Sequence, residues 1–81
     1  MNILITSAGR RVSLIKAFKE SSLNLKTKSK IFITDINTER SPAAYFADGT
    51  FNIGYFNDPN YINDLKKICL KNKVSIIVPT I

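Results

Sequence analysis

The sequence predicts an α/β fold, a four-stranded parallel sheet in three layers with helices on both faces and strand order 3-2-1-4. Three observations predict it. Short apolar runs recur at Ile3-Leu4-Ile5, Ile31-Phe32-Ile33 and Ile76-Ile77-Val78. Segments with helical spacing or helix-start signals lie between the runs. The runs themselves are continuous rather than alternating, as in strands covered on both faces. Strands separated by helical crossovers make parallel sheets with right-handed connections.

Each element follows in order. Ile3-Leu4-Ile5 reads as a central strand, and Thr6-Ser7-Ala8-Gly9 breaks it with small residues. Residues 10–22 read as the first helix. Val12, Ile15 and Phe18, with Leu14 beside them, form one apolar stripe, and Arg11, Lys16, Lys19 and Glu20 supply the solvated side. Ser21-Ser22 and the Lys-Thr-Lys-Ser stretch end it. Ile31-Phe32-Ile33-Thr34 is the second strand, closed by Asp35.

Residues 36–49 form an irregular crossover with a short helix, capped by Ser41 and started by Pro42. Asp48-Gly49 stops that helix. Phe51-Asn52-Ile53 is a weak third strand suited to an edge. The next helix takes Asp58 as its cap and Pro59 as its first residue. Ile62, Leu65 and Cys69 recur at i, i+3 and i+7 on its apolar face, which places Cys69 in the core. Ser75-Ile76-Ile77-Val78 is the fourth strand, ended by Pro79.

The 81 residues make one domain, 1–81, too small for more than marginal stability on its own. The strand at the end has no following helix to cover it, so the chain is expected to be a fragment of a longer protein or to meet a partner. Histidine is absent and Cys69 is the single cysteine. Those counts exclude an internal disulfide, a zinc cluster, a histidine base and a Ser-His-Asp triad.

Twelve basic and six acidic residues give a formal charge of +6, which favours anionic ligands in general. The basic residues form two short runs near helix ends, Lys26-Lys28-Lys30 and Lys66-Lys67-Lys71-Lys73, where positive charge suits the helix dipole. With no recognition helix and no aromatic-interleaved motif beside them, they read as solvated faces rather than a nucleic-acid surface. No apolar stretch reaches the roughly 18 residues of a membrane span. The start is a poor signal peptide, so the expectation is a cytoplasmic protein without membrane contact.

Ligands of an open parallel sheet collect outside the carboxyl ends of its strands. That rule selects residues 6–11, Asp35-Ile36-Asn37, the loop around Gly54, and Pro79-Thr80-Ile81. In the first loop, small residues let a ligand approach the backbone, and amides at the following helix start attract phosphate or carboxylate. Arg10 or Arg11 adds a bidentate fork, Arg10 being preferred as nearer the helix start. A simple tight corner uses the same residues. Asp35 stands where a dinucleotide fold places its ribose carboxylate, or else caps its own turn. Neither G-x-G-x-x-G nor a Walker A loop is present, which argues against NAD, FAD or an ATP phosphate loop in this segment.

The run from Met1 to Val12, with Thr6-Ser7-Ala8-Gly9-Arg10-Arg11 at its centre, resembles the amino terminus of ATP-grasp proteins of the carbamoyl-phosphate-synthase-large-subunit-like group. Thr34-Asp35-Ile36-Asn37, Ala44-Tyr45-Phe46-Ala47-Asp48, Asp58-Pro59-Asn60-Tyr61-Ile62 and Ile77-Val78-Pro79-Thr80-Ile81 extend the likeness in order and spacing. The resemblance implies a Rossmann-like preATP-grasp domain, placed before ATP-grasp domains that hold ATP and magnesium. It implies a ligase reaction in which ATP activates a carboxylate and an amine displaces phosphate, this domain supplying one wall of the acceptor-substrate pocket and not catalysing alone. Carried over position by position, Ser7, Ala8, Gly9 and Arg10 face a small carboxylate- or phosphate-bearing substrate, Asp35 and Asn37 order that wall, and Thr80 lies beside the inter-domain cleft. No residue matches an ATP or magnesium ligand. The alternative is a stand-alone nucleotide- or anion-binding domain, and homo-oligomerisation is open.

Overall fold

The computed structural model describes residues 1–8, 11–24, 29–55 and 57–80. Strands β1 (Asn2–Thr6), β2 (Ile31–Asp35), β3 (Gly49–Asn52) and β4 (Val74–Pro79) form a single sheet in the order β3-β2-β1-β4. All three pairings are parallel. The expected architecture and strand order therefore hold. Register sets Ile3 opposite Ile31 and Ile76, and Leu4 opposite Phe32 and Ile77.

Two faces follow from the alternation of side chains. Ile3, Ile5, Ile31 and Ile33 share one face and form the core with Ala8, Ile15 and Ala43. Helix α1 (Val12–Asn24) covers this face, its stripe of Val12, Leu14, Ile15 and Phe18 packed on the core as the spacing predicts. Leu4, Thr6, Phe32 and Thr34 are buried on the other face, which carries helix α2 (Tyr61–Lys71). Ile3, Leu4 and Ile5 are all buried, as the continuous apolar run requires.

The crossover from β2 to β3 contains two 3-10 turns, Thr38–Arg40 and Pro42–Phe46. Pro42 opens the second, as expected. Ser41 stands at its cap position without a side-chain cap hydrogen bond, so the expected capping role is corrected. Five residues are too few to offset α-helical nucleation, and the tighter turn results. Asp48 then anchors the chain to the amino end of β2. Its Oδ2 accepts the Ile31 amide at 2.7 Å, its own amide donates to the Ile31 carbonyl at 2.8 Å, and Lys19 Nζ donates to Oδ1 at 3.0 Å.

Element bounds shift from the sequence reading, most in α1, α2 and β3. Helix α1 begins at Val12 and runs past Ser22 to Asn24, two residues later at each end. Helix α2 begins at Tyr61, so Asp58 and Pro59 lie in the preceding turn. There Asp58 Oδ1 accepts the Asn60 amide at 2.8 Å, and the Asp58 carbonyl accepts the Tyr61 amide at 3.0 Å. Strand β3 starts at Gly49 and ends at Asn52, on the sheet edge as expected. Gly49 is obligatory there, because a Cβ would stand 2.6 Å from Cδ1 of the buried Phe32 ring.

Cys69 is also corrected. Helix α2 has no buried residue, and Cys69 is only half-buried. Its apolar face has the predicted spacing but incomplete cover. Ile62 remains 56% exposed and Leu70 83%.

Candidate functional site

The carboxyl ends of the four strands lie at one edge of the sheet because every pairing is parallel. That edge gathers the ends of β1, β2 and β4 at Thr6, Asp35 and Pro79. Leaving β1, Ser7 adopts a left-handed backbone with φ of 54° and is exposed. A serine in this region costs roughly 1 kcal/mol or more, so surrounding bonds must hold it. Thr80 does so. Its hydroxyl proton lies between the Thr6 carbonyl at 2.6 Å and the Ser7 carbonyl at 2.9 Å, and its amide donates to Thr6 at 3.2 Å.

Ala8 is fully buried, and its amide donates to the Thr34 carbonyl at 3.2 Å. The Arg11 amide turns back to the Ala8 carbonyl at 2.7 Å. Both amides are thus engaged within the protein, and an anion at this edge would be held by other groups. Gly9 and Arg10, expected to face a ligand, lie outside the described residues, as does Ile81.

Asp35 and Asn37 lie at the β2 end, in local turns. Asp35 Oδ1 accepts the Ile36 amide at 2.8 Å, and Asn37 Oδ1 accepts the Glu39 amide at 3.1 Å to cap the first 3-10 turn. The neighbouring Thr38 ties this turn to β3 through Asn52 Oδ1, at 2.8 Å from its amide and 2.9 Å from its hydroxyl. Of the expected residues, Ser7 and Thr80 come into direct contact. Asp35 and Asn37 stand apart on the β3 side.

A shallow cavity of about 510 Å³ opens at this edge beside β4, lined by Arg11, Ser13, Leu14, Pro79 and Thr80. Thr80 and Pro79 belong to the fourth-strand end that the sequence selects, and Arg11 is its alternative to Arg10. Ser13 and Leu14 were not singled out for this role by the sequence. The signal for Leu14 was its position three residues from Arg11, which puts both on one side of the helix start. Thr34, two strands from the cavity, is fully buried and its Oγ1 has no hydrogen-bond partner.

The domain model described as PylC-like, N-terminal domain, matches residues 3–81. The chain belongs to that family. PylC-like N-terminal domains are part of the broader ATP-grasp-like superfamily. No curated protein matches the sequence.

The family link to ATP-grasp proteins points to nucleotide and metal use, and no metal-binding or nucleotide-binding site is evident among the described residues of this PylC-like domain. No three or more His, Cys, Asp or Glu side chains converge to hold a metal ion among the described residues. Asp35, Asp48 and Asp58 instead accept backbone amides from Ile36, Ile31 and Asn60. A carboxylate so used stabilises a turn or a strand end, with less capacity left for a cation. Among the described residues, no helix of the PylC-like domain is long and apolar enough to cross a membrane.

Proposed function

We propose that this chain is the acceptor-substrate-side domain at the amino terminus of an ATP-dependent carboxylate–amine ligase, of the kind found in the carbamoyl-phosphate-synthase-like group. The family match over residues 3–81 carries the reading. In this reading the domain runs over 1–81 and is followed by ATP-grasp domains that hold ATP and magnesium. ATP supplies the phosphoryl group that activates the carboxylate, and this chain contributes binding and orientation.

What supports a substrate wall at the carboxyl edge is the cavity lined by Arg11, Ser13 and Thr80 next to the left-handed turn at Ser7. A guanidinium at a cavity mouth suits a carboxylate or phosphate, which it binds with paired N–H donors. Ser7, Gly9 and Arg10 form the proposed contact loop, with the buried Ala8 anchoring it from beneath. Asp35 and Asn37 brace the adjoining turn, and Thr80 fixes the loop's exit. Substrate held in this way would present its reacting group toward the ATP-bearing domains, and water would be excluded only on their closure.

Calorimetric titration of the full chain with small carboxylates and with inorganic phosphate tests the reading. Saturable binding is expected, weakened about tenfold or more by Arg10→Ala or Arg11→Ala, a change equal to the loss of one charge-assisted hydrogen bond. Gly9→Leu is expected to block the loop. Unchanged affinity in all three variants would remove the first loop from the site. The 81 residues alone are expected to turn over no ATP. Anion binding together with ATP turnover by this chain would overturn the division of labour.

A further inference from the structure

The loop after β1 is held from both flanking strands. On the β4 side, Thr80 donates its amide to the Thr6 carbonyl at 3.2 Å. Its hydroxyl stands 2.6 Å from that same oxygen and 2.9 Å from the Ser7 carbonyl. On the β2 side, the Thr34 carbonyl accepts the Ala8 amide at 3.2 Å. Ser7 lies between these ties and carries the left-handed φ of 54°.

The same bonds lead on to a guanidinium-bearing residue. Ala8 is fully buried, so packing fixes it as well. Its carbonyl accepts the Arg11 amide at 2.7 Å, and the Arg11 carbonyl accepts the Ile15 amide at 3.1 Å, the bond that leads into α1. Arg11 then lines the carboxyl-edge cavity together with Thr80. A continuous path thus runs from the Thr80 hydroxyl through the Ser7 backbone and Ala8 to Arg11.

Ser7 is the movable link in that path. In a left-handed residue the Cβ crowds the following carbonyl oxygen, so a serine released from outside bonds returns to the extended or right-handed regions. Such a return would swing the Ser7–Ala8 peptide and shift the Ala8 carbonyl to which Arg11 is tied. The hydroxyl of Thr80 opposes this, because only the present turn brings the Thr6 and Ser7 carbonyls together within its reach.

We propose that Thr80 is a positioning residue for anion binding: its hydroxyl holds Ser7 left-handed and, through Ala8, sets Arg11 where its guanidinium meets the ligand. The inference rests on the carboxyl-edge reading under Proposed function and adds the residue that tunes its affinity. Thr80 acts through Arg11 and not as a ligand contact.

Calorimetric titration of the full chain with inorganic phosphate and with acetate tests this. Thr80→Ser keeps the hydroxyl and is expected to bind within about twofold of the native chain. Thr80→Val loses it, and affinity should fall about fivefold or more as the binding-competent turn becomes a minority form. In an Arg11→Ala background the same Thr80→Val change should weaken binding by about twofold or less, because a residue acting through Arg11 has nothing left to position. Equal losses in both backgrounds would overturn the inference, as would a Thr80→Ser loss as large as that of Thr80→Val. Should Thr80→Val fail to fold, the native chain decides. Phosphate should then slow hydrogen exchange of the Ala8 and Thr80 amides as the site fills, since ligand and turn favour one another. Binding that leaves both amides unchanged would overturn the inference. Binding that Arg11→Ala weakens and Thr80→Val does not would remove Thr80 alone. A native chain that binds neither anion would end the carboxyl-edge reading, and this inference with it.

Discussion

At the level of single residues, contact distances separate positions that sequence makes look alike. Gly49 follows an aspartate at the end of a helical stretch and reads there as a helix stop. Its decisive constraint is instead steric, since a Cβ would approach Phe32 Cδ1 to 2.6 Å and Cε1 to 2.8 Å. Phe32 is buried and tilted against Phe51, with ring centroids 5.8 Å apart, so it has little room to yield. Gly49→Ala is therefore expected to destabilise the fold by about 1–3 kcal/mol through overpacking. Urea unfolding measures it, and combining it with Phe32→Leu should recover part of the loss, because the two sites couple. An additive double variant would show that the clash is relieved elsewhere. Thr34 is the opposite case. Its buried Oγ1 has no partner, so Thr34→Val is expected to be neutral or to stabilise by up to about 1 kcal/mol. A clear loss of stability on thermal unfolding would contradict that reading of its hydroxyl.

Among the elements, agreement with the sequence depends on where each one finds its cover. The Ile3-Leu4-Ile5 run and the α1 stripe were legible because both pack against partners inside the chain, and hydrophobic periodicity encodes exactly that requirement. Pro42 likewise marked the start of a short turn by local chemistry. Cys69 departs from the core position that its spacing predicts, because the periodicity of α2 specifies an apolar face but not what covers it. The left-handed turn at Ser7 left no trace in the sequence, since serine carries no signal for positive φ. What stabilises it is Thr80, which is 73 residues away and ties the end of β4 to the loop after β1. Thr80→Val keeps the shape of the side chain and removes the hydroxyl shared by the Thr6 and Ser7 carbonyls. The expected cost is about 1–2 kcal/mol. Amide exchange of residues 5–8 should accelerate along with the loss measured in urea. Unchanged exchange would mean that the turn is held without Thr80.

For the molecule as a whole, charge and pH act through few groups because histidine is absent and no imidazole titrates near neutrality. The acid side is governed in part by Asp48, which links the crossover to β2 and α1. Burial pushes its carboxyl up, but the Ile31 amide and the Lys19 ammonium, with Lys30 adding, outweigh burial and hold it below the ordinary value. An acid with a depressed folded value gives stability that is complete above the unfolded value of about 3.9. The contribution is lost as pH falls through the lower folded value, because the unfolded chain takes up the proton first. Asp48 and Lys19 are each about one-third exposed, at 34% and 37%, so solvent screening limits the pair to about 1 kcal/mol or less. The stability difference between the native chain and Asp48→Asn should accordingly be constant from neutral pH down to the onset of carboxylate titration. It should then narrow as acid protonates the native aspartate. Chemical denaturation at a series of pH values reads this directly. A gap that widens in acid would show that Asp48 is not held as its charged form, and that β2 is anchored there by the backbone bonds alone.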